Sequence, residues 1–406
     1  MSRERVRHIF ICGAKSIGQY GGFETFVGKL AEELQGCESV KLHIACKANG
    51  SGRMDESVLS NVKRISDTEF EYRGAHCFKI SVPPIGAAAA IWYDLKAVKH
   101  CLSYCRTHGI TQPVFYLLAC RVGPWMGWIK RCVHKIGGRL YVNPDGHEWL
   151  RGKWPWAVKR YWKLSEGLTV KQADLLICDS RSIEAYILET YKAYQPQTVH
   201  IAYGADQACS PLANDAPAFA AWLRRWNLTP GRYCLAVGRF VPENNYETMI
   251  REWMRCETKK DLVLITNITP KQLRKLAVRL PFEQDRRIKF AEAVYDQPLL
   301  KKIRENAFAS IHGHEVGGTN PSLLEAMAST GLNLLLDVKF NREVGQDSVL
   351  YWTKREGSLA ALVEKVDQMT EEERNLFAKS ARERIKTAYT WSLIAKQYMR
   401  IFENSF

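Results

Sequence analysis

The side chains best suited to chemistry in this 406-residue chain gather between Ile311 and Glu325, which reads I-H-G-H-E-V-G-G-T-N-P-S-L-L-E. The apolar run at 307–311 predicts a buried strand, and Pro321-Ser322 opens an apolar helix. Between them Gly317, Gly318, Thr319 and Asn320 form a loop of small and polar residues. Such a turn exposes backbone N–H groups, and the helix start adds partial positive charge, so the place suits a diphosphate. Glu325, one turn into the helix, can accept hydrogen bonds from a ribose. The pattern describes a site for a nucleotide-linked substrate. Helix punctuation accounts for part of it: Ser322-x-x-Glu325 matches a capping box, and Asn320-Pro321 matches an N-cap followed by proline. Two adjacent glycines with His312, His314 and Glu315 exceed what a cap requires.

Three other places carry candidate groups. Gly21-Gly22, at the end of a loop that begins at Gly13, precedes a helix and can bring amides to an anion; a flexible surface turn fits equally. The loop is neither G-x-G-x-x-G nor a Walker loop. Arg239 follows Gly238 at a strand end, where a guanidinium is a natural diphosphate clamp, although a lone Gly-Arg also describes a surface arginine. Asp145, His147 and Glu148 follow another strand, and any of them could orient or deprotonate a hydroxyl. The alternative there is an Asp-Gly turn with incidental charges.

Residues 150–165 hold Arg151, Lys153, Lys159, Arg160 and Lys163 among Trp154, Trp156, Tyr161 and Trp162, with no acid. Basic residues interleaved with indoles suit an anionic lipid surface. Single-stranded nucleic acid and a half-buried helix are the competing readings.

The elements that must position these residues alternate. Strands are expected at 6–12, 40–46, 75–82, 114–119, 139–142, 175–178 and 198–202, with helices at 23–34, 93–107, 154–171 and 182–191. A Gly/Ala/Asp/Pro-rich linker at 204–217 precedes a second series. Its strands are at 233–237, 262–266, 288–290, up to 311, and 333–336; its helices are at 245–256, 270–279 and 297–306, with a helical tail at 371–406. Two successive doubly wound parallel-sheet α/β domains follow, with a ligand cleft expected between them at the carboxyl ends of the strands. The chain is long enough for two cores.

A net charge of +15 favours polyanionic partners: nucleic acid, an anionic membrane or phosphorylated substrates. The apolar segment at 9–12 is too short for a signal sequence, and no stretch approaches the ~20 apolar residues of a membrane span. Twelve cysteines without a C-x-x-C pair read as buried reduced thiols of a cytosolic protein. No Asp-x-Asp occurs, so no carboxylate-held metal is expected.

Four segments carry a family resemblance: Tyr20-Gly-Gly-Phe-Glu-Thr-Phe26, Val142-Asn-Pro-Asp-Gly146, Val237-Gly-Arg-Phe-Val-Pro-Glu-Asn-Asn245 and His312 to Glu325. Together they resemble bacterial rhamnosyltransferases of glycosyltransferase family 4, in particular enzymes adding β-1,4-linked L-rhamnose from dTDP-L-rhamnose. The resemblance implies a GT-B fold of two Rossmann-like domains. Residues 1–205 would take the acceptor and 206–385 the nucleotide-sugar donor, with 386–406 a helix crossing back. It implies Arg239 on the donor diphosphate, Glu325 on the ribose, and Gly317, Gly318 and Thr319 along the sugar and phosphates. Two departures stand out. The broader family's lysine after the arginine is replaced by Asn244 and Asn245, and the broader family's first glutamate falls, by register, on Gly317.

The resulting expectation is a metal-independent, retaining transferase without a cofactor, peripheral on the inner face of the cell membrane. Its acceptor would be a lipid-diphosphate-linked glucose or N-acetylglucosamine, and nucleic acid would not be a partner. Asp145, His147 and Glu315 are the catalytic candidates. Gly21, Gly22, Arg239, Asn244, Gly317 to Asn320, Ser322 and Glu325 are the donor candidates. Arg151, Lys153, Trp154, Trp156, Lys159 and Arg160 are the acceptor or membrane candidates. A nucleotide-sugar epimerase, a UDP- or GDP-sugar transferase and, last, an RNA-binding module are the alternatives.

Overall fold

The computed structural model describes residues 6–19, 21–207 and 209–405; Tyr20 of the first motif lies outside them. The chain divides into two compact units. The first comprises residues up to Leu150, Trp154–Gly204 and the segment from Trp391 onward; the second comprises Arg151–Lys153 and Ala205–Thr390.

In the first unit the strands are β1 (Arg7–Cys12), β2 (Val40–Lys47), β3 (Val62–Arg64), β4 (Glu69–Tyr72), β5 (Ala75–Ile80), β6 (Val114–Leu118), β7 (Arg139–Asn143), β8 (Leu175–Cys178) and β9 (Thr198–His200). They form one sheet in the order β3-β4-β5-β2-β1-β6-β7-β8-β9, parallel except where β4 meets β3 and β5. Its central strands are apolar runs because helices cover both faces. Phe10, Ile11 and Phe115 are fully buried. The helix Gly22–Glu33 buries Phe26, Val27, Leu30 and Ala31 at helical spacing.

The second unit has β10 (Tyr233–Val237), β11 (Asp261–Thr266), β12 (Ile288–Glu292), β13 (Ala309–His312), β14 (Leu332–Leu336) and β15 (Leu350–Trp352). All are parallel, in the order β12-β11-β10-β13-β14-β15. Trp253 and Trp352 are buried in the core on one face of this sheet.

The order reverses direction once in each sheet, between β1 and β6 and between β10 and β13. At such a switch point neighbouring loops leave the carboxyl ends of adjacent strands in opposite directions and open a crevice. Gly238-Arg239 follows β10 and the His312–Asn320 loop follows β13, so both candidate loops flank the second switch point.

Two boundaries differ from the expected ones. Residue 386 lies inside the helix Glu371–Ala388, which the second unit holds through Arg384 on the Glu343 and Val344 carbonyls. The segment that returns to the first unit starts at Trp391. There Tyr398 Oη lies 3.0 Å from Tyr116 Oη, and Ser39 donates to Glu403 at 2.6 Å. The second difference is Arg151–Lys153, which packs with the second unit rather than the first.

Candidate functional site

The two loops at the second switch point are stitched together by backbone-directed amides. Asn244 Nδ2 donates to the Arg239 carbonyl at 2.8 Å. Asn245, left-handed at φ 56°, donates to the Gly313 carbonyl at 2.8 Å and to Glu315 Oε2 at 3.0 Å. Both asparagines are buried, so they brace the turn, while the Arg239 side chain is exposed beyond it. The approach is close. A Cβ on Gly313 would lie 2.3 Å from Met249 Cε and 2.6 Å from the Asn244 carbonyl oxygen. A Cβ on Gly238 would lie 3.3 Å from His314 Cε1.

Glu315 also pairs with Lys354, so its carboxylate is held by Asn245 and Lys354 together. Gly317 has φ 134°, reserved in practice for glycine, and no atom would meet a Cβ there within 4 Å. Gly318 is half-buried and Thr319 is buried beside it. Asn320 caps the helix Pro321–Ser329 by accepting from the Ser322 N–H at 2.9 Å, with Pro321 in the first turn. Ser322 therefore sits inside the helix, and the alternative of a Ser322–Glu325 capping box does not form.

Glu325 faces a partner that sequence reading missed. Arg304, on the helix Gln297–Glu305, is 3% exposed and pairs with Glu325. Its other terminal nitrogen donates to Ser322 Oγ at 3.1 Å. The signal was present: Leu300 and Ile303 mark the helix's buried face, and Arg304 falls on it. His312 and His314 stack with ring centroids 4.3 Å apart. Burial first, then the Arg239 and Arg151 guanidiniums, push His314 down to about 3; burial, His314 and Arg304 push His312 well below the ordinary range. Both rings are thus neutral, and His314 Nδ1 is buried without a hydrogen-bond partner.

In the first unit, Asp145 and His147 both have positive φ, 58° and 47°. The Asp145 N–H donates to Asn143 Oδ1 at 2.8 Å, and Asp145 Oδ1 accepts from the Gly146 N–H at 2.8 Å, the local bonding of an Asp-Gly turn. His147 packs on the Tyr186 ring at 4.2 Å, and burial lowers its pKa, leaving an uncharged imidazole. Behind it the buried Glu166 accepts from Tyr186 and Tyr191, each at 2.5 Å, and from Lys163 at 3.1 Å. Glu148 accepts from Trp154 Nε1 at 2.9 Å. At the first switch point Arg121 pairs with buried Asp94 at 3.0 Å and donates to the Gly13 carbonyl at 3.2 Å. The Glu24 carboxylate lies over Gly21, where a Cβ would meet it at 2.2 Å, and accepts from the Lys15 N–H at 3.1 Å. Gly22 is open.

The basic and aromatic stretch splits. Trp156, 71% exposed, opens the helix Trp156–Gln172, with Arg160 over its ring at 5.0 Å. Lys159 is half-buried and Trp154 is turned toward Glu148 and Trp162. Arg151 and Lys153 belong to the second unit. Among the described residues no helix is long and apolar enough to cross a membrane.

A family model described as "Domain of unknown function (DUF1972)" matches residues 6–206. No curated protein matches the chain. Solved structures do. The sucrose-phosphate synthase of Thermosynechococcus elongatus is 17% identical, with 99% of each chain covered and a TM-score of 0.74. Anabaena HepE, solved in complex with UDP-glucose, is 13% identical over 98% of this chain and 99% of its own, at 0.67. The α,α-trehalose 6-phosphate synthase of Burkholderia multivorans is 11% identical over 98% of this chain and 97% of its own, at 0.71. The two parallel-sheet α/β units of this chain are those of the GT-B fold.

Proposed function

We propose that this chain is a retaining GT-B glycosyltransferase whose second unit binds a nucleotide-sugar donor. The observation that carries the reading is the convergence of Arg239 and the Gly317–Glu325 helix start on one switch point. An exposed guanidinium, the amides of a glycine-rich turn, a helix N-terminus and a carboxylate one turn in are the groups a nucleoside diphosphate needs. During transfer the sugar C1–O bond to the diphosphate breaks, a bond to the acceptor oxygen forms on the same face, and the acceptor hydroxyl's proton passes to the departing diphosphate oxygen. Negative charge grows on the departing diphosphate, where Arg239 and the loop amides stabilise it. Asp145 and the uncharged His147 are the proposed acceptor-side groups, each able to accept a hydrogen bond from a hydroxyl.

The motif resemblance supports L-rhamnose as the sugar, dTDP as its carrier and a β-1,4 linkage to a lipid-diphosphate-linked glucose or N-acetylglucosamine. The exposed Trp156–Arg160 pair supports work at the inner face of an anionic membrane. A UDP-glucose-type donor is the second reading, favoured by the UDP-glucose complex of the structurally similar HepE. A thermal-shift panel of dTDP, UDP and GDP separates them. A ligand at 100 times its Kd contributes ~2.7 kcal/mol of stability. Stabilisation led by dTDP supports rhamnose, and stabilisation led by UDP or GDP moves the donor assignment. Stabilisation by none refutes the nucleotide-sugar reading.

A further inference from the structure

Glu166, on the helix Trp156–Gln172, is a carboxylate only 5% exposed, and it gathers three donors on one oxygen. Tyr186 and Tyr191 donate to Oε1 at 2.5 Å each, and Lys163, one turn back, donates to it at 3.1 Å. Lys163 also donates to the Tyr186 hydroxyl, and its ammonium lies 4.7, 4.8 and 5.0 Å from the Trp149, Tyr186 and Tyr191 ring centroids. A buried ion pair is weak evidence for stability, because packed apolar side chains of similar volume serve about as well. This pair instead fixes the Tyr186 hydroxyl from two sides, with Glu166 accepting from it and Lys163 donating to it.

Tyr186 stands on the helix Arg181–Thr190, which follows β8, and His147 follows β7, the parallel neighbour of β8. Both therefore leave the same edge of the sheet. The imidazole lies against the Tyr186 ring, with centroids 4.2 Å apart and planes tilted by 58°, and 6.1 Å from the Trp149 ring. His147 holds φ 47°, a conformation that persists in a non-glycine residue only where its surroundings fix it. The two charges of the pair act on the ring with opposite signs: burial lowers the His147 pKa, Glu166 opposes that, and Lys163 adds to it.

We propose that Glu166 is a positioning residue of the acceptor side: by fixing the Tyr186 ring it holds the His147 imidazole where that imidazole accepts a hydrogen bond from the acceptor hydroxyl. The proposal rests on the acceptor-side reading of His147 above. An uncharged ring directs a hydroxyl only along its nitrogen lone pair, so a tilt of the ring misplaces the attacking oxygen, and small misplacements are costly in rate.

The test pairs spectroscopy with kinetics on the full-length protein. With histidine labelled with ¹³C at Cε1, the resonance missing from His147→Gln is that of His147. Glu166→Gln keeps an oxygen for the two tyrosines and loses the charge, so the ring stays in place and its titration midpoint falls. Glu166→Leu loses the oxygen, so the ring is released, its resonance loses the displacement due to Tyr186, and its midpoint rises toward the ordinary 6.5. A purely structural role for Glu166 gives no such opposite shifts. In transfer from dTDP-L-rhamnose or UDP-glucose to farnesyl-diphosphate-linked N-acetylglucosamine, Glu166→Leu should lower kcat/KM for the acceptor about tenfold or more. Glu166→Gln should restore most of it, and calorimetric affinity for dTDP and UDP should stay within about twofold in both. Tyr186→Phe, which removes one hydroxyl, should act like a milder Glu166→Leu and covers the case in which that variant does not fold. An undisturbed His147 resonance in the Glu166 and Tyr186 variants overturns the positioning role, as does acceptor kcat/KM unchanged in them while His147→Gln is impaired. Normal transfer by His147→Gln, or none by wild type, removes the acceptor-side reading and this inference together.

Discussion

Removing Arg304 separates what holds the donor helix from what reads the ribose. The guanidinium is almost wholly buried and joins Glu325 and Ser322, whereas the Glu325 side chain is 24% exposed. Arg304→Met leaves a largely buried carboxylate without its cation. Breaking a buried pair costs ~3–5 kcal/mol, and water reaching the exposed quarter of Glu325 returns part of that, leaving ~2–3 kcal/mol. For a unit of this size each kcal/mol moves the melting midpoint by ~2–4 °C, so a drop of ~5–10 °C is expected. Arg304→Met/Glu325→Leu removes both charges, and packed apolar side chains replace buried ion pairs at little cost, so the double variant should recover most of the loss. Nucleotide affinity should not recover. Glu325 is the proposed ribose acceptor, and one lost charge-assisted bond weakens binding about tenfold. UDP, whose ribose offers two hydroxyls where the deoxyribose of dTDP offers one, should lose more. Calorimetric melting with titration of each variant reads both effects. A double variant no more stable than Arg304→Met would refute the coupling, and one that binds nucleoside diphosphates like wild type would refute the ribose role.

Acid should destabilise the first unit through His43, which stacks on Phe10 at 4.3 Å and is pushed down to about 2 by burial, then by His8, His76, Lys41 and His108. Because the folded pKa lies below the unfolded one, stability is full above pH ~6.5 and falls by ~1.4 kcal/mol per pH unit below it. His43→Phe should flatten that slope in urea melts taken between pH 7 and 5, and an unaltered slope counts against the argument. Trp156→Ala/Arg160→Gln should lower affinity for phosphatidylglycerol vesicles by about fivefold or more, at ~1 kcal/mol per basic group near the surface. Equal sedimentation of variant and wild type with vesicles would exclude that face as the docking surface.

The parallel strands were readable because they are apolar runs bounded by turn residues, and β1, β6, β10 and β11 fall where those runs do. The β3–β4 edge was not. Glu69-Phe-Glu-Tyr72 alternates charge with aromatics and buries only Phe70 and Tyr72. Its strand character comes from pairing with β5 rather than from a run of its own. The helix Pro217–Trp226 was hidden for another reason: no side chain caps it, and its proline reads as the end of a linker. At the candidate site, Gly317, Asn320 and Pro321 announced their local roles. Arg304 and Lys354 did not, because their partners lie on other elements and only the folded sheet brings them near.

The two switch points share a topology and differ in charge, and the difference argues for where a diphosphate binds. At the first, the structure supplies its own counter-ions: Asp94 pairs with Arg121, and the Glu24 carboxylate takes the Lys15 N–H and covers Gly21. An anion arriving there would have to displace a carboxylate already seated by the helix N-terminus. Of the two glycines expected on the donor, Gly21 lies under that carboxylate and Gly22 is open. At the second, Glu315 is drawn to Lys354 and Glu325 to Arg304, and Arg239 is exposed. Glu315 and Glu325 each have a cation of their own, so neither competes with an incoming phosphate for Arg239. That partition, set by side chains far apart in sequence, supports the proposal that the second unit is the one that takes the diphosphate.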